Sequence, residues 1–194
     1  MSIWAVIPAK PAEEGKSRLA DVLNRSQRMR LNRYLFRQTL AIVCTVFEPE
    51  RVIVVSRDTA LLGIAAAAGA QALTERGTDL NEALHQAATL PPVTAGLLAV
   101  SMDLPNLTAD DLHAMLEQSG PVTIAPDRAR QGTNALLTNP AACIPFRFGE
   151  DSFALHSAEA ARIGVTPRVI LRPGLAFDLD TPEDLALCPG LILS

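Results

Sequence analysis

The chain has 194 residues, a formal net charge of −4 and 48% hydrophobic residues. Such a chain is long enough to bury the core of one domain, and its apolar content excludes intrinsic disorder. The slightly acidic balance argues against nucleic acid and anionic membranes as partners, because both are bound through excess lysine and arginine. Cys44, Cys143 and Cys188 are widely spaced, which excludes a disulfide framework and a zinc site and favours a reducing cytoplasm. No apolar run reaches the ~20 residues that a transmembrane helix needs.

In the first half of the chain, short apolar runs alternate with segments of helical period. Ile3–Ile7 is a continuous apolar run, typical of a strand buried on both faces, and Trp4 and Phe36 are expected in the core. The predicted elements are, in order, a strand over Ile3–Ile7, a helix over Met29–Phe47, a strand over Val52–Ser56, a helix from the Asp58 cap to Gly69, a strand over Ala70–Thr74, a helix over Leu80–Ala88 and a strand over Leu97–Met102.

The second half continues the alternation. Thr108 and Asp111 form a predicted capping box, and Gly120 marks the end of that helix. The later elements are strands over Val122–Ala125 and Asn134–Thr138, a helix capped by Ser152 that ends near Gly164, a strand over Val169–Leu171 and a helix from Thr181. This order predicts a single α/β domain over residues 1–194, with a mostly parallel sheet and helices on both faces. Ligands of such sheets bind outside the carboxyl ends of the strands.

The loop after the first strand is basic. Gly15-Lys16-Ser17 looks like the end of a P-loop, but Lys10 stands where that motif needs its first glycine. Lys10, Lys16 and Arg18 can still neutralise a polyphosphate, although three basic residues on a surface loop can equally well be solvated.

Aspartates follow two other predicted strand ends. Asp103 comes directly after an apolar run, and Asp178 and Asp180 face the same way if the chain there is extended. Mg²⁺ takes one or two carboxylates and then phosphate oxygens, so the three aspartates are candidate ligands. The structural alternatives are that Asp180 caps the helix at Thr181 and that Asp103 caps a turn.

Two further features concern anions and bases. Gly149 lies just before the helix predicted at Ser152, and free N–H groups at a helix N-terminus bind anions, although Ser152 is equally an ordinary N-cap.

The three histidines, His85, His113 and His156, lie in helical segments and are not spaced as metal ligands, so we interpret them as packing or surface residues. No arrangement of nucleophile and base supports covalent catalysis.

Five motifs occur in order along nearly the whole chain. They are Pro8-Ala9-Lys10-Pro11 with Lys16-Ser17-Arg18-Leu19, Ser101-Met102-Asp103-Leu104-Pro105, Pro126-Asp127-Arg128 with Gly132-Thr133-Asn134-Ala135-Leu136, Phe146-Arg147-Phe148-Gly149 with Ser152-Phe153, and Asp178-Leu179-Asp180-Thr181-Pro182-Glu183-Asp184-Leu185. Together they resemble the 2-phospho-L-lactate guanylyltransferase family of coenzyme F-420 biosynthesis, which includes bacterial phosphoenolpyruvate and 3-phosphoglycerate guanylyltransferases.

The resemblance implies a glycosyltransferase-A-like fold, of the nucleotide-diphospho-sugar-transferase type, and a Mg²⁺-dependent enzyme. Such an enzyme transfers GMP from GTP to the phosphate of a three-carbon phosphoacid, which is phospholactate, phosphoenolpyruvate or 3-phosphoglycerate, and releases pyrophosphate. Its nucleophile is a phosphate oxygen already ionised at neutral pH, so it needs no general base, and catalysis brings two polyanions together.

The resemblance also implies roles for ten residues. Asp103, Asp178 and Asp180 would hold Mg²⁺, Lys16 and Arg18 would contact the GTP phosphates with Lys10 nearby, the main-chain amides of Thr133, Gly149 and Ser152 would hold the acceptor phosphate, and Asn81 would contact guanine or ribose. Leu80 and Leu84 are candidates for choosing among acceptors. Glu13-Glu14-Gly15 and Asp79 depart from the residues usual in the family.

There are two alternatives to this assignment, one within enzymes and one non-catalytic. A molybdopterin- or sugar-phosphate nucleotidyltransferase of the same fold is disfavoured, because its first loop is usually glycine-rich and Pro8–Arg18 is glycine-poor. A non-catalytic nucleotide-binding module would bind GTP without releasing pyrophosphate, and it would not need three convergent aspartates. The acceptor stays open at this point, and a homodimer would be unsurprising.

Overall fold

A computed structural model describes residues 3–90, 93–117, 120–188 and 191. The strands are β1 (Trp4–Pro8), β2 (Val52–Ser56), β3 (Gln71–Thr74), β4 (Leu97–Val100), β5 (Val122–Pro126), β6 (Thr133–Thr138) and β7 (Arg168–Val169). The α-helices are α1 (Arg25–Val46), α2 (Thr59–Ala67), α3 (Leu80–Ala88), α4 (Ala109–Leu116), α5 (Ser152–Arg162), α6 (Pro173–Ala176) and α7 (Pro182–Ala186). None of these helices is long and apolar enough to cross a membrane.

One sheet has the strand order β3-β2-β1-β4-β6-β5-β7 and is mostly parallel, as predicted. Only β6 runs antiparallel to its neighbours β4 and β5. Because of this reversal, the start of β6 lies beside the carboxyl end of β4: Val100 is opposite Ala135, and the Ser101 N–H donates to the Asn134 carbonyl at 2.9 Å. The reversal therefore brings Thr133 to the edge of the sheet where ligands bind.

Helices cover both faces of the sheet. Alternate residues of β1 enter two separate cores: Ala5 and Ile7 pack with α1, α2 and α4, whereas Trp4 and Val6 pack with α3 and α5. Phe36 is fully buried in the first of these cores. The prediction of a first strand buried on both faces is confirmed.

Local capping signals explain the helix starts. The predicted capping box of Thr108 and Asp111 is present at α4. The first helix begins at Arg25, four residues earlier than predicted, because Asn24 and Gln27 form a capping box that the apolar periodicity does not reveal.

Two predicted elements differ near the C-terminus. Ser152 is the first residue of α5 and does not cap it. The N-cap is Asp151, whose backbone is left-handed with φ 52° and whose side chain makes no cap hydrogen bond. The late strand predicted over Val169–Leu171 is only Arg168–Val169, because the chain turns into the short helix α6.

Candidate active site

A cleft of about 1080 Å³ opens along the carboxyl edge of the sheet, with a side pocket of about 340 Å³. All ten residues to which the resemblance assigns a role line one or both cavities. The side pocket contains Lys16 and Asp103, the larger cavity contains Asn81, Thr133, Gly149, Ser152 and Asp178, and both contain Lys10, Arg18 and Asp180. The fold thus brings these distant positions to one place, while their individual roles stay predictions.

The loop after β1 is held against α1. Asn32 is buried and donates from Nδ2 to the Ala12 carbonyl at 2.7 Å. A Cβ at Gly15 would lie 2.5 Å from that same Nδ2, so only glycine permits this close approach. The next residue, Lys16, has a left-handed backbone with φ 59°, which turns its side chain into the site.

Lys16 is the buried cation of the site. Its Nζ lies 2.7 Å from Asp103 Oδ2 and 3.2 Å from Asp180 Oδ1, and its side chain is only 4% exposed. Burial lowers the pKa of the Lys16 ammonium, but the two carboxylates outweigh burial and raise the pKa above its ordinary value. Arg18 Nη1 lies 3.5 Å from Asp180 Oδ2 and is largely exposed, as is Lys10. The interpretation of Lys16 as a solvated residue of a surface loop is therefore wrong.

A main-chain hydrogen bond joins the two aspartate segments. The Leu179 N–H donates to the Asp103 carbonyl at 3.1 Å. Leu179 is fully buried in a small core, so Asp178 and Asp180 on either side of it face the cleft, as predicted. The Asp180 carboxylate does not cap α7, because Thr181 does so.

Asp184, which the sequence analysis did not single out, supports this segment. Its Oδ2 accepts the N–H groups of Asp180 at 3.1 Å and Thr181 at 2.8 Å, and its Oδ1 pairs with Arg128. Arg128 also lies over the Phe177 ring, 4.6 Å from its centroid. The position of the Asp180 backbone is thus set by a charged side chain one helical turn away.

Asp178 carries an unfavourable charge in this arrangement. Burial raises the pKa of the Asp178 carboxyl, and the charges of Asp103 and Asp180 raise it further, against two hydrogen bonds that lower it, one from Asn134 Nδ2 at 3.3 Å and one from the Asp178 backbone. Within the described ranges, no three acidic, histidine or cysteine side chains are arranged to hold a metal ion. The Lys16 ammonium lies between Asp103 and Asp180 instead. The donor set nevertheless suits Mg²⁺, because a dication would relieve the repulsion between Asp103 and Asp178 and take its other ligands from phosphate.

At the other end of the cleft, side chains hold a loop by its backbone. Asn81 Oδ1 accepts the Phe148 N–H at 2.7 Å, and Asn81 Nδ2 donates to the Phe148 carbonyl at 3.1 Å. This pairing ties α3 to the loop that precedes α5. The Asn81 amide, predicted to contact guanine or ribose, is therefore engaged with the protein backbone.

His156 holds the same loop from within the protein. Its Nε2 accepts the Arg147 N–H at 2.9 Å, and its Nδ1 lies 3.0 Å from Thr133 Oγ1. The interpretation of this histidine as a packing residue is confirmed by its full burial, but no local pattern in the sequence predicts its contact with Thr133. His85 and His113 are exposed.

The anion-binding amides predicted here are partly occupied. Gly149 has φ +128°, and nothing lies within 4 Å of where its Cβ would be, so its backbone is open to the cleft. The Ser152 N–H is directed at the Gly149 carbonyl over 3.3 Å, and the Phe153 N–H donates to the Gln131 carbonyl at 3.0 Å. Asp127 accepts the Gly132 N–H at 2.9 Å and so shapes the turn before Thr133.

Other residues define the wall near α3. Arg57 pairs with Glu14 at 3.2 Å and with Glu75 at 3.3 Å, and all three line the cleft. Asp79 caps α3 by accepting two backbone N–H groups.

The two leucines predicted to choose among acceptors differ in position. Leu84 is fully buried in the core, so its predicted contact with an acceptor is wrong, whereas Leu80 lines both cavities.

Comparisons with known proteins agree on one family. Residues 3–188 match the model of a family described as guanylyl transferase CofC like. A phosphoenolpyruvate guanylyltransferase of Rubrobacter xylanophilus is 42% identical over 96% of this chain and 93% of its own length, and one of Roseiflexus castenholzii is 40% identical over 95% and 87%. A 3-phospho-D-glycerate guanylyltransferase of Colwellia psychrerythraea is 33% identical over 94% and 89%. Among solved structures, one titled as a nucleotide-diphospho-sugar transferase from Desulfovibrio desulfuricans G20 has a TM-score of 0.74 at 17% identity, covering 100% of this chain and 90% of its own.

Proposed function

This chain belongs to the guanylyl transferase CofC-like family, and on that premise we propose that it transfers GMP from GTP to the phosphate of phosphoenolpyruvate in coenzyme F-420 biosynthesis. The observation that carries the chemistry is the meeting of Lys16, Asp103 and Asp180 at 2.7 and 3.2 Å beside Asp178. The choice of phosphoenolpyruvate is supported by the names of the relatives at 42% and 40% identity.

In the proposed reaction, an oxygen of the acceptor phosphate attacks the α-phosphorus of GTP. A new phosphorus–oxygen bond forms, and the bond from the α-phosphorus to the bridging oxygen of pyrophosphate breaks, so that pyrophosphate leaves with the electron pair. No proton needs to be removed from the nucleophile, so the reaction needs no catalytic base.

The basic residues would reduce the repulsion between the two anions. Lys16 is buried and fixed by two carboxylates, so it presents its charge without the reorganisation that a solvated lysine needs. Arg18 and Lys10 are exposed at the mouth of the side pocket and can follow the phosphates of an entering nucleotide.

We extend the proposal to Mg²⁺, held by Asp103 and Asp178 with Asp180 beside them. When bound, the ion would neutralise phosphate charge and orient the two substrates. The main-chain amides of Thr133, Gly149 and Ser152 would hold the acceptor phosphate, which requires the Ser152 N–H to exchange its long contact with Gly149 for the anion.

The test is pyrophosphate release by the purified protein with GTP and Mg²⁺, offering phosphoenolpyruvate, 3-phosphoglycerate and phospholactate separately. We expect release with phosphoenolpyruvate, none with ATP in place of GTP, and none after chelation of the metal. Release with only 3-phosphoglycerate or only phospholactate would support guanylyl transfer but would show that phosphoenolpyruvate is not the acceptor. Silence with all three acids, in protein shown to bind GTP, would overturn the proposal.

A further inference from the structure

The tautomer of His156 can be read from its hydrogen bonds. Its Nε2 accepts the backbone N–H of Arg147, so that nitrogen carries no proton. Burial lowers the pKa of His156 to about 4, which keeps the ring neutral at pH 7. A neutral ring has one proton, and this proton therefore lies on Nδ1.

This tautomer fixes the role of the Thr133 hydroxyl. The protonated Nδ1 lies 3.0 Å from Thr133 Oγ1, so the hydroxyl accepts from His156 and cannot donate to it. A backbone hydrogen bond with Ser152 raises the pKa of His156, although less than burial lowers it. The hydroxyl proton of Thr133 must consequently point elsewhere.

Thr133 lines the cleft, where a ligand could accept that proton. Thr133 is 5% exposed and lines the larger cavity beside Gly149 and Ser152. Within the part of the chain that the structure describes, His156 is the one hydrogen-bond partner of its side chain, and it is a donor. A buried hydroxyl proton that faces a cavity without an acceptor is unfavourable until a ligand supplies one.

We propose that His156 is a positioning residue that fixes the Thr133 hydroxyl as a hydrogen-bond donor to an anionic oxygen of the three-carbon acceptor, an inference that rests on the proposed function. The acceptor is favoured over the nucleotide, because Thr133 lines the larger cavity beside Gly149 and is absent from the side pocket around Lys16. His156 also holds the Arg147 N–H, so one buried ring orients both segments that would flank the acceptor.

Two isosteric replacements separate these contacts. His156→Asn keeps an N–H where Nδ1 was and loses the contact with Arg147. His156→Gln can keep an acceptor where Nε2 was and loses the donor to Thr133. Thr133→Val removes the hydroxyl at nearly constant volume, and Thr133→Ser retains it. His113→Gln removes an exposed histidine of α4 and is the matched control.

The experiment measures KM for the acceptor and for GTP by pyrophosphate release, in each variant and in the double variant. We expect Thr133→Val and His156→Gln each to raise the acceptor KM about tenfold with little change in the GTP KM, which is the effect of one lost hydrogen bond to a charged group. Thr133→Ser should recover most of that loss, and His156→Asn should recover the part that depends on the Thr133 hydroxyl. In the Thr133→Val background, His156→Gln should add less than about twofold, because the hydroxyl that it positions is already gone.

Two results would overturn the proposal. One is an equal effect of His156→Gln in both backgrounds, which would mean that the ring acts only by packing. The other is a nitrogen NMR signal of the wild-type ring at pH 7 showing the proton on Nε2, a measurement that does not depend on the folding of any variant. An inactive wild-type protein would instead count against the proposed function, and the two failures are therefore distinguishable.

Discussion

The two ends of the cleft are built from different interactions. Around Lys16, full charges are paired with one another: one ammonium contacts two carboxylates, and Asp178 stands near both with a raised pKa. Around Thr133, the contacts are neutral hydrogen bonds in which His156 and Asn81 hold backbone groups. Both ends face the same cavity system, yet the first is built from full charges and the second from neutral groups.

This difference suggests a division of labour. The charged end is unfavourable by itself at Asp178, and a cation bound there would offset this, which is the arrangement expected where binding energy is directed to a reacting group. At the neutral end most contacts are made before a ligand enters, and in the proposed function an acceptor only has to replace the long contact between the Ser152 N–H and the Gly149 carbonyl and to engage the Thr133 hydroxyl.

The largest effect is expected from Asp178→Asn. The substitution removes a carboxylate from the proposed metal site, so we expect turnover to fall by about 10³-fold. Because the pKa of Asp178 is raised, the folded state disfavours its charge at pH 7, and the neutral side chain should increase the free energy of unfolding. Measuring turnover and the urea midpoint on the same preparation tests both the expected loss of activity and the expected gain in stability.

The control for this variant is Asp110→Asn, which neutralises an exposed aspartate on α4 away from the cleft. It should leave turnover unchanged. Near-normal turnover of Asp178→Asn would contradict the metal assignment, and a lowered urea midpoint would contradict the electrostatic account of Asp178.

The neutral end should be sensitive to acid instead. The pKa of His156 is about 4 in the folded protein against about 6.5 unfolded, so its contribution to stability is complete above pH 6.5 and declines as the pH falls toward 4. Relative to His156→Gln, the wild-type protein should lose about 3 kcal/mol of unfolding free energy between pH 7 and pH 4. Arg147 lowers this pKa and Glu159 raises it, both by less than burial does. Urea titrations at several pH values measure the difference, and parallel stability curves for the two proteins would refute it.

Local sequence signals predicted one end of the cleft better than the other. Asp103 and Asp178 were found because each adjoins a buried apolar run, and the alternation around Leu179 indicated which way the second one faces. The ion pairs of Lys16 were not predicted, because they join residues 87 and 164 positions apart. The contact between His156 and Thr133 was not predicted either, because it depends on how α5 packs against the sheet.

In the structure Asn81 belongs to the neutral end, so its role decides where the boundary between the two ends runs. The resemblance assigns it to guanine or ribose, whereas in the structure its amide makes two hydrogen bonds with the Phe148 backbone. We expect Asn81→Ala to raise the acceptor KM by about five- to tenfold, the effect of losing about 1 kcal/mol of loop positioning. The GTP KM and the preference for GTP over ITP should change little.

Gln86 provides a matched control on the same helix. Its side-chain amide makes a similar pair of contacts, accepting the Arg76 N–H at 2.9 Å and donating to the Thr74 carbonyl at 3.0 Å. These contacts hold the segment after β3 and not the loop that contains Phe148. Gln86→Ala should therefore lower stability about as much as Asn81→Ala and leave the acceptor KM unchanged. If Asn81→Ala raised the GTP KM and left the acceptor KM unchanged, Asn81 would contact the nucleotide. Its hydrogen bonds with the Phe148 backbone would then be ones that guanine replaces on binding.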